Sequence, residues 1–287
     1  MLGVRSIAMP LKVLTLNIWF DQAPWPERAA LIRGWIDRLS PDVIGFQEVL
    51  RGPGIDQLDE LVGASHAHCA YSPAIDIRER PGVTYGNAIA SRWPLLRVTH
   101  TQLPDRGGWE KRGAVTARID APFGPFSFTS THLHWRFHHG HVRERQVVAV
   151  AEAGLACADE GDAGFPTVIV GDFNAEPESD EIRYMRGMHS HAGESVAFLD
   201  AWAVAGDRNL SGDTGRGITW SNRNPYAALE FEPDRRIDYV FTGLARRDGV
   251  GHVEACRVVC DAPEGGVWPT DHFGVYAELR SEPAEPA

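Results

Sequence analysis

Six separated segments of this 287-residue chain place an acidic, amide or imidazole side chain where an apolar run meets a loop. The most informative is Gly171-Asp172-Phe173-Asn174, which follows the apolar run 165–170. A short run rich in β-branched residues is typical of a buried strand. Residues i and i+2 of an extended segment point to the same side, so Asp172 and Asn174 project together. The pattern predicts a carboxylate and a carboxamide at a strand end, where α/β proteins place their sites.

The other five segments carry side chains of the same kinds. In chain order they contain Asn17, Glu48, His132, Asp238 and the pair Asp271-His272. If the sheets bring these strand ends together, their carboxylates, amides and imidazoles form one cluster. An oxygen-rich cluster suits a hard cation such as Mg²⁺ or Mn²⁺. With two histidines added, the cluster suits attack of water on a phosphate ester.

The elements that must position these residues are short strands and a few helices. Strands are predicted over 11–17, 42–48, 86–91, 113–119, 125–133, 166–170, 236–242, 255–260 and 272–279. Helices are predicted over 26–39, 142–158 and 178–188. Many short strands with interspersed helices predict two stacked sheets with helices outside. We expect a single domain over residues 11–280, with flexible termini at 1–10 and 281–287.

Composition limits the partners and the compartment. Apolar residues make up 43% and charged residues 23%, as in soluble globular proteins. No apolar stretch reaches the roughly 18 residues of a membrane span, and the sequence of the N-terminus leads us to expect no secretory signal. Four scattered cysteines without a C-x-x-C pair predict free thiols and a cytoplasmic protein. The net charge of −11 disfavours broad binding to duplex DNA.

The six segments, together with the stretch 86–92 and Lys111-Arg112-Gly113, resemble the endonuclease/exonuclease/phosphatase superfamily. This superfamily includes deoxyribonuclease I, abasic-site endonucleases, neutral sphingomyelinases, inositol-polyphosphate phosphatases and deadenylases. The resemblance covers residues 11–279, with the motifs in the family's order. It implies the four-layer α/β sandwich of deoxyribonuclease I, in which two packed mixed β-sheets are flanked by helices. It also implies hydrolysis of phosphate esters that depends on one or two Mg²⁺ or Mn²⁺ ions.

The resemblance implies a role for each residue on the metal side and at the water. Glu48 is implied as the direct metal ligand, since Mg²⁺ prefers carboxylate oxygens. Asn17 and Asp271 complete the metal site, directly or through water. Asp172 and Asn174 orient the attacking water and hold the scissile phosphate, and Asp172 also takes the proton of the water.

A second group of roles concerns the phosphate. His272 resembles the family's catalytic histidine and Asp238 its carboxylate partner, a pairing that favours the protonated ring. His132 stabilises the phosphate or protonates the leaving oxygen. Arg112 is a candidate phosphate contact, with a surface ion pair as the alternative. Asn87 is a candidate substrate contact, with a structural hydrogen bond as the alternative.

Two alternatives concern the segment 132–141, which holds five of the twelve histidines. It is either a zinc site or a loop at the rim of the active site that attracts an anionic substrate; we favour the rim loop. Trp135 and Phe137 either pack beneath this loop or stack on the substrate, and we favour packing.

The substrate is the least determined part. Abasic-site endonucleases carry Tyr where this chain has His132, and no carboxylate stands two residues after Asn17, so a DNA-repair role is disfavoured. We expect a phosphate ester that is not duplex DNA. The alternatives are a nuclease acting on DNA or RNA and, more remotely, a catalytically silent binding protein on the same fold.

Overall fold

A computed structural model describes residues 9–107, 110–158, 164–207 and 215–284. The strands in these residues are β1 Leu11–Asn17, β2 Val43–Gly52, β3 Ile55–Asp56, β4 His68–Asp76, β5 Thr84–Ser91, β6 Leu95–Gln102, β7 Gly113–Ala121, β8 Gly124–His132, β9 Val168–Asp172, β10 Phe198–Asp200, β11 Asp238–Gly243, β12 Val253–Val259 and β13 Gly274–Leu279. The α-helices include α1 Trp25–Leu39, α2 Gln57–Val62, α3 Gly140–Ala156, α4 Asp180–Met185, α5 Ala201–Ala205 and α6 Pro225–Ala228.

The strands form two sheets, each with one parallel pair at its centre. The first sheet has the order β12-β13-β1-β2-β5-β4, with β3 beside β2, and the second has the order β10-β11-β9-β8-β7-β6. The pairs β1–β2 and β8–β9 are parallel, and the other pairs are antiparallel. Helix α1 connects β1 to β2 and α3 connects β8 to β9, as parallel pairs require. Because the strands of each pair are parallel, their carboxyl ends lie at the same end of the sheet.

Three buried clusters divide the molecule into four layers. One cluster lies between the sheets and includes Val13, Phe128 and Val170. A second packs α1 and α2 against the outer face of the first sheet, and a third packs α3 and α4 against the outer face of the second. The prediction of two packed mixed β-sheets flanked by helices is therefore confirmed.

The inner faces of the sheets change from apolar to polar toward one end. Because side chains alternate along a strand, Phe126 and Phe128 of β8 share their face with Ser130 and His132. All four are buried. In the same way, Val168 and Val170 precede Asp172 on β9. The polar residues at the strand ends thus continue the inner face of the core.

A buried polar layer separates this end from the apolar core. The Nε2 of Gln47 on β2 donates to Ser130 Oγ on β8 at 3.1 Å, which links the two sheets. The sheets approach closely here, because a Cβ on Gly45 would lie 2.4 Å from Val170 Cγ2. Only glycine permits this approach, which brings the polar ends of both sheets within reach of each other.

Some elements differ from the predictions. Strands β3, β4, β6 and β10 were not predicted; β4 and β6 lie at sheet edges, β4 contains Pro73 and most of β6 is exposed, so neither shows a buried strand's pattern. Strand β2 does not end at Glu48 but continues to Gly52 through a register shift between Phe46 and Val49. An irregularity of this kind re-aims a side chain, here that of Glu48.

The ends of the chain fall partly outside the described residues. The predicted flexible termini include 1–8 and 285–287, which are not described. The carbonyl of Met9 accepts a hydrogen bond from Ser281 Oγ at 2.6 Å, which fixes Met9 to the other end of the domain. All four cysteines lie in described segments and are unpaired. The helices of the described residues include none that is long and apolar enough to cross a membrane.

A buried histidine makes the stability of this fold depend on pH. His66 is 1% exposed, its Nε2 contacts the Pro41 carbonyl at 3.0 Å, and burial lowers its pKa from 6.5 to about 4. As the pH falls, the unfolded chain therefore takes up a proton at His66 before the folded protein does. The stability contributed by neutral His66 is complete above pH 6.5 and is lost as the pH falls toward 4. Between pH 7.5 and 5 the loss is about 2 kcal/mol. Denaturant unfolding of His66→Gln at both pH values should show a smaller difference than the wild type, whereas exposed His100→Gln should match the wild type.

Candidate active site

The turn after β9 is built around Asp172. Gly171 has φ +152°, and a Cβ there would lie 2.0 Å from the Thr131 carbonyl oxygen, so the neighbouring strand excludes any side chain. Asp172 Oδ1 accepts a hydrogen bond from Asn174 N at 2.9 Å. Asn174 itself takes the left-handed conformation, with φ +51°. The carboxylate therefore fixes the turn that places the Asn174 amide beside it.

The second oxygen of Asp172 lies at the centre of the site. Asp172 Oδ2 accepts from Asn17 Nδ2 at 3.2 Å and lies 3.3 Å from His132 Nε2 and 3.7 Å from His272 Nε2. The residue is 1% exposed. Burial raises the pKa of Asp172 to about 7, with nearby Asp238 adding to the rise and His272 opposing it. A carboxyl with this pKa can exchange a proton near neutral pH.

His272 and Asp238 form a buried pair beside Asp172. His272 Nδ1 lies 3.0 Å from Asp238 Oδ2, and the Trp220 ring packs against the imidazole with centroids 4.9 Å apart. Burial opposes the charge of the imidazole, but the carboxylates of Asp238 and Asp172 outweigh it and raise the pKa of His272 to about 10. At neutral pH the ring is therefore a cation whose Nε2–H points toward Asp172.

His132 has the opposite charge state. Burial and the nearby Arg112 hold its pKa well below 6.5, so the imidazole is neutral. Its Nε2 lies 3.1 Å from Asn174 Nδ2, and its Nδ1 lies 3.3 Å from the Tyr85 hydroxyl. The site thus holds one neutral and one protonated histidine on two sides of the same carboxylate.

Glu48, Asn17 and Asp271 lie on the other side of Asp172. Glu48 has φ +62°, and this strained backbone turns its carboxylate toward Asn17, whose Nδ2 donates to Glu48 Oε1 at 3.2 Å. Asn17 Oδ1 accepts from Trp19 N at 3.0 Å, so the amide presents its nitrogen to the carboxylates. Burial raises the pKa of Asp271 to about 7, with Glu48 adding to the rise and His272 opposing it.

These residues fit a hard divalent cation. Their carboxylates supply oxygen ligands, and a dication would relieve the mutual repulsion of the buried carboxylates. Among the described residues, a separate trio of possible ligand atoms is formed by Asp172, Asp238 and His272, within 4.8 Å of one another. His272 Nδ1 already bonds Asp238, and the ring is protonated, so the geometry of this trio is that of a hydrogen-bonded cluster.

The structure separates the two candidate substrate contacts. Arg112 is 6% exposed and lines the cavity. Its Nη2 donates to Glu110 Oε1 at 2.9 Å, while its Nε and Nη1 are buried and have no hydrogen-bond partner in the part of the chain that the structure describes. Buried donors of this kind call for an acceptor such as a phosphate oxygen. Asn87 does not line the cavity, and its Nδ2 donates to the Gly113 carbonyl at 2.7 Å. Its position therefore matches the structural alternative.

The site opens into a cavity of about 280 Å³. Besides the predicted residues, its walls include Trp19, Phe20, Tyr85, Trp220 and Arg235. Sequence reasoning did not find these residues. Only Tyr85 carried a usable signal, because it shares the inner face of β5 with Ile89, four residues further along the strand.

The histidine-rich segment forms part of the rim. His134 Nε2 lies 3.1 Å from His139 Nδ1, and no trio of possible metal ligands within 4.8 Å occurs here among the residues described. The arrangement agrees with the rim loop rather than with a zinc site. Trp135 and Phe137 are 43% and 50% exposed, so the expectation that they pack beneath the loop is wrong. The reason is that buried Arg143 occupies the space beneath, where it bonds the loop carbonyls.

Comparisons with known proteins agree with this geometry. The model of the Endonuclease/Exonuclease/phosphatase family matches residues 14–272. An endonuclease/exonuclease/phosphatase from Beutenbergia cavernae is 26% identical, with a TM-score of 0.66 over 95% of this chain and 72% of that chain. The human Nocturnin catalytic domain with bound sulfate is 19% identical, with a TM-score of 0.68 over 94% of this chain and 93% of that chain.

A third similar structure is D. rerio TDP2 complexed with single strand DNA product, at 18% identity and a TM-score of 0.70 over 94% of this chain and 98% of that chain. The two structures below 25% identity support the fold alone. A search of curated proteins gives no match. The family match confirms an enzyme of the phosphoesterase class on the deoxyribonuclease I-like fold. The chain belongs to the endonuclease/exonuclease/phosphatase family.

Proposed function

We propose that this protein is a Mg²⁺- or Mn²⁺-dependent hydrolase that cleaves phosphate esters by in-line attack of an activated water. The observation that carries the proposal is the position of Asp172, whose Oδ2 lies within 3.7 Å of Asn17, His132 and His272. A group that accepts the proton of water is thereby placed between a set of oxygen ligands and a protonated imidazole. Attack of water on phosphorus needs these three functions together.

Each side of the site has its own task. Glu48 and Asp271 would hold the cation, which supplies charge stabilisation to the phosphate oxygens when bound. Asp172 accepts the proton of water, and Asn174 holds the phosphate from the same turn. Protonated His272 donates to a non-bridging oxygen.

Two further groups face the phosphate. The buried, unpartnered donors of Arg112 suit a second phosphate oxygen. His132 is neutral, so it holds the phosphate or the leaving oxygen by a hydrogen bond rather than by charge.

The cavity favours a substrate other than duplex DNA. Glu230 and Glu232 line the cavity, and Glu232 forms an ion pair with Arg235, so acidic side chains repel a duplex backbone here and already pair with one of the cations that would hold it. A small phosphodiester or phosphomonoester fits the volume. A single-stranded nucleic acid is the second candidate, because half-exposed Trp135 offers a ring for stacking. The similar D. rerio TDP2, complexed with single strand DNA product, points the same way.

Metal removal tests the reaction class. Chelator-treated protein is expected to hydrolyse bis(p-nitrophenyl) phosphate at least about 100-fold more slowly than protein restored with Mg²⁺ or Mn²⁺, because the cation supplies several kcal/mol of charge stabilisation. Turnover that survives chelation would contradict the proposal.

A substrate panel with the restored enzyme tests the substrate class. It should contain plasmid DNA, a single-stranded oligonucleotide, a lipid phosphodiester and an inositol phosphate. Fast nicking of the plasmid would overturn the preference for a non-duplex substrate. No hydrolysis of any substrate would favour the silent binding protein.

A further inference from the structure

Among the described residues, the arginine or lysine with the least exposed surface lies behind the metal side of the site. Arg28 of α1 is 0% exposed, and carbonyl oxygens surround its guanidinium. Its Nη1 donates to Gln22 O at 2.7 Å, its Nε donates to Pro269 O at 3.1 Å, and its Nη2 donates to Ile18 O. Longer contacts reach the carbonyls of Trp19 and Phe20. A five-donor fork is the only side chain able to serve so many acceptors at once.

These carbonyls belong to two loops that carry residues of the site. One loop follows Asn17 at the end of β1, and the other, through Pro269, precedes Asp271. The two loops are also joined directly, because Thr270 Oγ1 donates to Asn17 O at 2.8 Å. Arg28 therefore sets the distance between the segments that supply Asn17 and Asp271.

The first loop is strained, and the strain is connected to the site. Trp19 and Phe20 are consecutive non-glycine residues with φ of +55° and +30°. Each such residue costs about 1–3 kcal/mol, so the loop keeps this shape only if its surroundings hold it. The shape directs Trp19 N to Asn17 Oδ1, at 3.0 Å, which turns Asn17 Nδ2 toward Glu48 and Asp172. The guanidinium, bonded to the carbonyls of this loop, is the group that holds it.

We propose that Arg28 is a positioning residue that holds these two loops, so that Asn17, which donates to Glu48 Oε1, and Asp271 are kept in place and the carboxylates of Glu48 and Asp271 converge on a divalent cation. The inference rests on the proposed metal-dependent function. Arg28 acts at a distance from the substrate, through backbone carbonyls. Its own positive charge works against a cation nearby, so its value to the site lies in geometry.

The second sheet supplies a matched comparison. Arg143 of α3 is 5% exposed and bonds the carbonyls of His134, Arg136 and Phe137, while its Nε donates to Glu181 at 2.5 Å. It holds the loop after β8 as Arg28 holds the loop after β1. That loop contains none of the proposed metal ligands but carries Trp135, which lines the cavity. The two arginines are similar in burial and bonding but face different halves of the site.

The test compares Arg28→Lys with Arg143→Lys in the full-length protein. Lysine keeps the charge and loses the fork, so both variants should lose stability in denaturant unfolding. Calorimetric titration with Mn²⁺ alone should show about 10-fold weaker binding for Arg28→Lys, the size typical of groups that orient metal ligands. Mn²⁺ affinity of Arg143→Lys should stay within about 2-fold of the wild type, whereas its KM for bis(p-nitrophenyl) phosphate should rise.

The other outcomes separate the explanations. Unchanged Mn²⁺ affinity in Arg28→Lys, with wild-type binding intact, would overturn the inference alone. Tighter Mn²⁺ binding by Arg28→Met would also overturn the inference. That result is expected if Arg28 acts only as a buried positive charge that repels the cation. Failure of the wild type to bind Mn²⁺ would overturn the proposed function and the inference together. If Arg28→Lys does not fold, Thr270→Val removes the other link between the same loops, together with the contact of Thr270 Oγ1 to Asp271 Oδ1 at 3.0 Å, and should also weaken Mn²⁺ binding several-fold.

Discussion

Asp172→Asn is expected to lower kcat for a phosphodiester by about 10³-fold, the range typical for loss of a general base. The amide keeps the shape of the side chain, and its oxygen can still accept from Asn174 N, so the turn after β9 survives. What is lost is the ability to take a proton from water. Steady-state kinetics with bis(p-nitrophenyl) phosphate and saturating Mn²⁺ measure the effect on kcat and KM separately. A variant that keeps more than about a tenth of kcat would show that another group takes the proton.

The same substitution is expected to stabilise the metal-free protein. The carboxylate of Asp172 is 1% exposed and stands beside that of Asp238, so the folded state carries the cost of a buried charge next to a like charge. Removing this charge should raise the Tm. Asp200→Asn is the matched control, because Asp200 is also buried but pairs with Arg236 through both oxygens, at 3.1 and 2.7 Å. Breaking that pair should lower the Tm. Opposite shifts would mark Asp172 as a residue kept for activity rather than for stability.

The polar residues at the strand ends could be predicted from the sequence because side chains alternate between the two faces of a sheet with a fixed period. His132 and Asp172 end parallel neighbours and lie opposite each other in the register, as do Asp172 and Asp238 on the next strand. When an apolar run ends in a polar residue that points to the inner face of the sheet, the sequence therefore predicts that this residue lies in the site. The substrate contact of Asn87 stays a prediction, and its place on β5 favours the alternative of a structural hydrogen bond. Asn87 points to the inner face of the sheet but lies deeper along β5 than the cavity. Tyr85, two residues nearer the end of the strand at the site, lines the cavity.

Apart from Tyr85 on β5, the newly found walls of the cavity could not be predicted from the sequence, because loops carry them. Trp220 and Arg235 come from segments paired only by an isolated bridge, and no periodicity fixes where such side chains point. The buried role of Arg28 was hidden as well. An arginine on an amphipathic helix normally marks the solvated face, and only the folded loops show that this one is surrounded by carbonyls. The local sequence pattern thus predicts which side chains the strands bring to the site. The contacts made by loops are seen only in the folded structure.

The second large effect is expected at His272, whose replacement by glutamine should lower kcat by about 10³-fold, as for loss of a charged donor to the transition state. Glutamine retains a donor but loses the charge that Asp238 and Asp172 maintain on the ring. Exposed His100→Gln on β6 is the control for replacing an imidazole and should leave kcat unchanged. Equal loss of kcat and kcat/KM would show that the interaction exists only in the transition state.

Asp238 acts through His272, and a double-mutant cycle tests this. Asp238 Oδ2 bonds His272 Nδ1 at 3.0 Å, and Oδ1 is buried with no hydrogen-bond partner, so the bond to the imidazole is the one hydrogen bond of this carboxylate among the described residues. Asp238→Asn should lower kcat by about 10²-fold, because the ring loses its counter-charge and the hydrogen bond that fixes its orientation. In His272→Gln the same change should cost almost nothing, since the group it orients is gone. Additive losses would mean that Asp238 contacts the reaction independently, and the carboxylate would then have to be counted with Asp172 as a possible acceptor of the proton.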